Sequence, residues 1–153
     1  MHFSFPKVVF FDIGDTLVQE PIGGGRGLWV HGAKEIVKEL CSRNIRLGLI
    51  SNTGSLTRTE LLAILPADFT LSIFNSNLIF LSSEVAVEKP KPSIFLKAIQ
   101  ESGTIPKNCL FCGDSFVETF VAHEVGMLVA KVSKPPNSDI TEVIHALDNL
   151  LLI

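Results

Sequence analysis

Val8-Val9-Phe10-Phe11-Asp12-Ile13-Gly14-Asp15-Thr16-Leu17 is the stretch on which the reading of this chain turns. An apolar run with no polar alternation describes a strand buried on both faces, as in the interior of a parallel sheet. The run ends on an acidic, glycine-containing loop. A buried strand with a carboxylate at its C-terminal tip delivers it to the crevice where open α/β sheets bind ligands. Three later segments repeat the arrangement. Leu47-Gly48-Leu49-Ile50 ends on Ser51-Asn52, Leu78-Ile79-Phe80-Leu81 leads toward Lys89-Pro90, and Cys109-Leu110-Phe111-Cys112 ends on Gly113-Asp114-Ser115. An acid, a hydroxyl, an ammonium and a second acid, in that order, are what metal-assisted phosphoryl chemistry needs.

The segments between these tips carry helical spacing. Strands are expected at Lys7 to Phe11, Ile45 to Ile50, Leu78 to Leu81, Cys109 to Cys112 and Met127 to Val132. A first helix over Ala33 to Ser42 puts Ile36, Val37 and Leu40 on one stripe. Ser55 or Thr57 caps a second, which turns Leu61, Leu62 and Leu65 inward before Pro66 stops it. Pro92 and Ser93 open a third, which buries Ile94, Phe95, Ala98 and Ile99 and ends near Gly103. A fourth runs from about Phe116 to Val125, and a last follows Pro135-Pro136, with Asp139 and Glu142 as its capping box. Strands alternating with helices of this length predict an α/β fold: a three-layer, Rossmann-like parallel sheet with helices on both faces. Short connections throughout predict a single domain over residues 1–153.

Composition narrows the class. The chain has 153 residues, 46% of them hydrophobic and 19% charged, which is too apolar for disorder. A net charge of −3 without a basic tract argues against nucleic acid. No apolar run approaches the roughly 18 residues of a membrane span, and the N-terminus lacks a signal-peptide pattern. A cytosolic (cytoplasmic) protein is expected. Three cysteines are an odd count for a disulfide framework. Cys109 and Cys112 lie three apart on one strand and so face opposite sides, which reads as core rather than a redox or zinc pair. The four histidines are scattered without ligand spacing.

Across nearly the whole chain, the order of motifs resembles the haloacid dehalogenase superfamily of hydrolases. Phe11-Asp12-Ile13-Gly14-Asp15-Thr16-Leu17 resembles its first motif, Ile50-Ser51-Asn52-Thr53 its second, Glu88-Lys89-Pro90-Lys91-Pro92-Ser93-Ile94-Phe95 its third, and Cys112-Gly113-Asp114-Ser115-Phe116-Val117-Glu118 its fourth. The resemblance implies a role for each position. Asp12 would be the nucleophile that takes the phosphoryl group. Magnesium would sit between Asp12, the backbone carbonyl of Gly14 and Asp114, with Glu118 reaching it directly or through water. Ser51 and the backbone amide of Asn52 would hold a phosphoryl oxygen. Lys89 would neutralise charge between nucleophile and phosphoryl group. Glu118 stands where the family usually has Asp.

Position 14 departs from the phosphatase pattern. Phosphatases in this family usually carry a second Asp two residues after the nucleophile, as general acid and then base; this chain has Gly14. Asp15 reflects the ordinary chemistry of the loop. General acid–base assistance is worth about 10²–10⁴-fold, so its loss raises a barrier by about 3–5 kcal/mol. A substrate with a good leaving group, such as an aryl or acyl phosphate, suffers least. No segment is long enough for a cap domain, so the site is open to large substrates or covered by a neighbouring subunit. Gly23-Gly24-Gly25-Arg26-Gly27 resembles the family's flap hairpin. Arg26 is expected at its tip and Trp29 as a core anchor, ahead of contact with substrate.

Two functions from different classes follow. The first is a magnesium-dependent hydrolase of a phosphorylated small molecule or macromolecule, acting through an aspartyl-phosphate at Asp12. The second is a catalytically weak or silent member that binds phosphate or a protein in the same cleft. A phospho-accepting receiver domain would want paired acids on strand one and its phosphorylated Asp on strand three, where this chain has Ser82, Ser83 and Glu84.

Overall fold

The computed structural model describes residues 6–20, 23–136 and 140. In chain order the elements are β1 (Val8–Phe11), β2 (Val18–Gln19), β3 (Leu28–Trp29), α1 (Ala33–Ser42), β4 (Arg46–Ser51), α2 (Arg58–Ile64), β5 (Ile79–Leu81), α3 (Ser82–Val85), α4 (Pro92–Ser102), β6 (Cys109–Gly113), α5 (Phe116–Glu124) and β7 (Leu128–Lys131). Five strands form one parallel sheet in the order β5-β4-β1-β6-β7. The opening apolar run is its central strand, and all of its residues are buried.

Period-two alternation then divides the core. Val9 and Phe11 face one layer with Ile36, Val37 and Leu40 of α1 and Leu61 of α2. Val8 and Phe10 face the other, with Ile94, Phe95 and Ala98 of α4 and Ala122 of α5. Cys112 belongs to the first layer and Cys109 to the second, as their spacing requires. Burial pushes both thiols up, and no cysteine is in a disulfide. Gly48 lets the layers close. A Cβ there would stand 2.6 Å from both the Phe10 ring and the Leu78 carbonyl oxygen.

The helices obey the local signals. Thr57, not Ser55, caps α2: its Oγ1 accepts from Glu60 N at 3.1 Å, and Glu60 Oε1 accepts from Thr57 N at 3.0 Å. That reciprocal box is worth about 1 kcal/mol. α4 starts at Pro92 and stops at Gly103, whose φ of 70° is left-handed. Strand ends differ from the sequence reading by about one residue. Leu78, read as strand, completes a 3-10 turn over Ser76–Leu78 instead. The short helix α3 was not foreseen. The helix expected after Asp139 lies outside the described residues, apart from the buried Ile140.

Between β1 and β4 the described residues hold only the β2–β3 pair and α1. Between β4 and β6 they hold α2, β5, α3, α4 and turns, so no inserted domain lies between these strands among the described residues. No helix among the described residues is long and apolar enough to cross a membrane.

Candidate active site

Register brings the motif residues together. Phe11 pairs with Leu49 on β4 and Cys112 on β6. The next residue, Asp12, therefore emerges between the tips that carry Ser51 and Asp114. Asp12 N donates to the Cys112 carbonyl at 3.0 Å, which ties the loop to β6. The Asp12 carboxylate is turned by its own loop, with Oδ1 accepting from Ile13 N at 2.8 Å.

Lys89 arrives from the loop between α3 and α4, and its side chain is only 1% exposed. Its Nζ lies 3.0 Å from Asp12 Oδ1 and 2.6 Å from Glu118 Oε1. It also stands 5.3 Å from the centroid of the Phe111 ring. A buried ammonium persists only when paired, and here two carboxylates share the task. The Glu118 contact is an ion pair without hydrogen-bond alignment, because buried Oε1 has no hydrogen-bond partner among the described residues. Asp12 is pushed up to about 6, first by burial; Lys89 opposes the shift, while Glu118 and Asp114 add repulsion.

Asp114, whose side chain is 8% exposed, takes a long hydrogen bond of 3.4 Å from the hydroxyl of buried Thr16 and lies 3.8 Å from Lys134 Nζ. Gly14 is exposed, and a Cβ added there would meet nothing within 4 Å. Asp15 occupies a left-handed turn position with φ 57°, as expected of a loop residue. Ser51 is buried at the end of β4.

Three contributions escaped the sequence reading. The side chain of Asn52 grips the backbone of Lys89, accepting from its N at 2.8 Å and donating to its O at 3.0 Å. Thr53 ties β4 to α3, its N donating to Ser82 Oγ at 2.8 Å and its Oγ1 to Ser83 Oγ at 2.8 Å. Thr16 supports Asp114. All three lay inside or beside the motifs, but their partners are distant in sequence, so no local spacing could reveal them.

The donor set suits magnesium. Asp12, Asp114 and the Gly14 carbonyl are hard oxygens, and magnesium is commonly held by one or two carboxylates while it keeps several waters. Among the described residues no three Asp, Glu, His or Cys side chains gather into a ready cage. A site built on two carboxylates and a carbonyl is consistent with that.

Beside these groups lies a cavity of about 500 Å³ between the hairpin and α2. Ile13 and Gly14 bound it on one side and Ser51 to Thr53 on another, so it abuts Asp12 without containing it. The hairpin pairs Val18 with Trp29 and Gln19 with Leu28. It is fastened to α2: Gly27 N donates to the Ile64 carbonyl at 2.6 Å, and Arg26 Nη1 donates to those of Leu62 and Leu65 at 3.1 and 2.8 Å. Trp29 stacks on Phe69 with ring centres 5.2 Å apart and donates to Asp68 at 2.8 Å. Neither Arg26 nor Trp29 lines the cavity.

A parallel sheet wound on both sides, with its polar residues collected at the C-terminal strand tips, defines a Rossmann-like α/β protein. Residues 26–148 match the family model of the haloacid dehalogenase-like hydrolases, and the chain belongs to that family. Solved structures agree on the fold. An uncharacterized protein from Listeria monocytogenes serotype 4b is similar at a TM-score of 0.79 and 18% identity, covering 95% of this chain and 99% of that one. A HAD-superfamily hydrolase from Ehrlichia chaffeensis is similar at 0.74 and 17%, covering 97% and 98%. A HAD-family enzyme from Bacteroides thetaiotaomicron, in complex with magnesium and inorganic phosphate, is similar at 0.72 and 15%, covering 89% and 98%. No curated protein matches the chain in sequence.

Proposed function

We propose that this chain is a magnesium-dependent phosphatase of the cytosol that works through an aspartyl-phosphate at Asp12, on a phosphorylated small molecule or macromolecule. The observation that carries this reading is the sealed Lys89 ammonium 3.0 Å from Asp12 Oδ1. It is a compact cation fixed beside a carboxylate at the tip of the central strand. The Bacteroides relative's complex with magnesium and inorganic phosphate supports it.

In this reading an Asp12 carboxylate oxygen bonds to phosphorus as the bond to the leaving oxygen breaks. Water then displaces Asp12 and releases inorganic phosphate. Lys89 offsets the charge on the phosphoryl oxygens, and the Ser51 hydroxyl with the Asn52 backbone amide holds one of them. Asp12, the Gly14 carbonyl and Asp114 would hold magnesium, which when bound supplies positive charge against the same oxygens. Glu118 pairs with Lys89 and would reach the ion directly or through water.

A second reading rests on Gly14, which bears no proton to give. A silent family member would bind phosphate or a protein partner in the same cleft. Phosphate release from p-nitrophenyl phosphate and acetyl phosphate decides between the two. Slow, magnesium-dependent turnover that disappears in Asp12→Asn is expected. Magnesium binding with no turnover of either compound would overturn the phosphatase reading in favour of the second.

A further inference from the structure

We propose that the cavity between the hairpin and α2 receives an aromatic leaving group whose ring bears no ionised substituent, so that the substrate is a small aryl phosphate monoester. The inference rests on the phosphatase reading and adds the chemistry of the departing half.

The cavity, about 500 Å³, is in the range of ordinary small-molecule sites. One wall is apolar: Val18, Leu56, Leu61, Ile64 and Leu65. Charge is distributed against anions. Glu20 is the sole ionisable side chain among the described lining residues. The cations bonded beside it are engaged, Arg26 on the carbonyls of Leu62 and Leu65 and Lys89 on Asp12 and Glu118. A leaving group with a second phosphate or a carboxylate would therefore face Glu20 with no cation among the described lining residues. The walls are set in advance, because Gly27 and Arg26 bond the hairpin to the end of α2.

Position 14 supplies an independent constraint. Gly14 borders the cavity, where a leaving group would take up its proton. Lacking a donor there, the electron pair of the broken bond must stay on an oxygen that tolerates it. A phenol has a pKa of about 10, roughly six units below bulk water. A phenolate departs unprotonated far more readily than an alkoxide. An aromatic ring satisfies the apolar wall, the missing cation and the missing acid together.

The test is steady-state phosphate release with magnesium from 2-naphthyl phosphate, phenyl phosphate, 3-phosphoglycerate and acetyl phosphate, beside binding of 2-naphthyl phosphate to Asp12→Asn by calorimetry. For 2-naphthyl phosphate a KM at least about tenfold below that of acetyl phosphate is expected, with 3-phosphoglycerate turned over poorly. In Ile64→Glu, at the cavity rim, the ratio of kcat/KM for 2-naphthyl over acetyl phosphate should fall by about tenfold or more. If acetyl phosphate is hydrolysed but the naphthyl ester shows no advantage, or that ratio does not move, the leaving-group assignment fails and the phosphatase reading stands. If nothing is hydrolysed and Asp12→Asn does not bind the naphthyl ester, both fall.

Discussion

Asn52 closes a two-bond ring on the main chain of Lys89, with its Oδ1 2.8 Å from Lys89 N and its Nδ2 3.0 Å from Lys89 O. One side chain thereby fixes the residue whose ammonium meets Asp12. Asn52→Ala should lower kcat by about ten- to a hundredfold, as expected when a positioning contact is lost. It should also cost about 1–3 kcal/mol for two hydrogen bonds. Asn52→Asp retains the acceptor and loses the donor, so its kcat should lie between. Equal kcat in all three proteins would refute the positioning role.

Gly14 has open space around its Cα and a backbone outside the left-handed region, so a side chain fits. Gly14→Asp should fold with unchanged thermal stability and raise turnover of alkyl phosphates by about 10²–10⁴-fold. Acetyl phosphate, which needs no protonation, should gain far less. An equal gain on both substrates would show that the missing acid is not the limitation.

The Asp12 carboxyl is raised from 3.8 to about 6, chiefly by burial, so the folded protein holds its proton more tightly than the unfolded chain. Stability from this group is present below about pH 4 and lost as pH rises through about 6. The gap corresponds to a cost of about 3 kcal/mol at neutral pH, as an upper bound. With chelator present, Asp12→Asn should melt higher than the wild type at pH 8 and alike at pH 4. A difference independent of pH would contradict the burial argument.

At Gly27 a Cβ would stand 2.5 Å from Val18 Cγ1 and 3.3 Å from the Ile64 carbonyl oxygen. Gly27→Ala must displace the Val18 side chain inside the hairpin and crowd the contact with α2, at a cost of about 1–3 kcal/mol. Chemical denaturation would register this as a lower midpoint; an unchanged midpoint would mean that Gly27 is not packed this closely on Val18.

Cys41 is exposed, whereas Cys109 and Cys112 are buried with their thiols pushed up. Titration with a thiol reagent should label only Cys41 in the native protein and all three cysteines in denaturant. Rapid native labelling of Cys109 or Cys112 would show that the sheet opens.

The architecture was legible because burial on both faces leaves a plain mark: continuous apolar strands, each ending on a polar tip. Asp12, Ser51 and Asp114 stood out from that punctuation, whereas Lys89, beyond α3, was picked out by the order of the motifs and the family resemblance. What the sequence concealed depends on the third dimension. Asn52 was read for its backbone amide, yet its side chain serves a lysine 37 residues away. Glu118 was read as reaching an ion directly or through water, and the ion pair that its carboxylate makes with Lys89 was not read. Arg26 was placed at a hairpin tip, but its bonds to the end of α2 depend on how that hairpin folds back. Leu78, apolar and next to a strand, has the same local pattern in a strand as in the turn it occupies.

The vacancy beside Gly14 also bears on how such a chain evolves. Glycine and aspartate codons can differ at the middle base alone, and neither the packing nor the backbone angle at this position resists the exchange. Gaining or shedding the proton donor is thus a single mutational step with no compensating change elsewhere. On the proposed phosphatase reading, lineages built on this scaffold would move between vigorous and restrained catalysis without first rebuilding the protein.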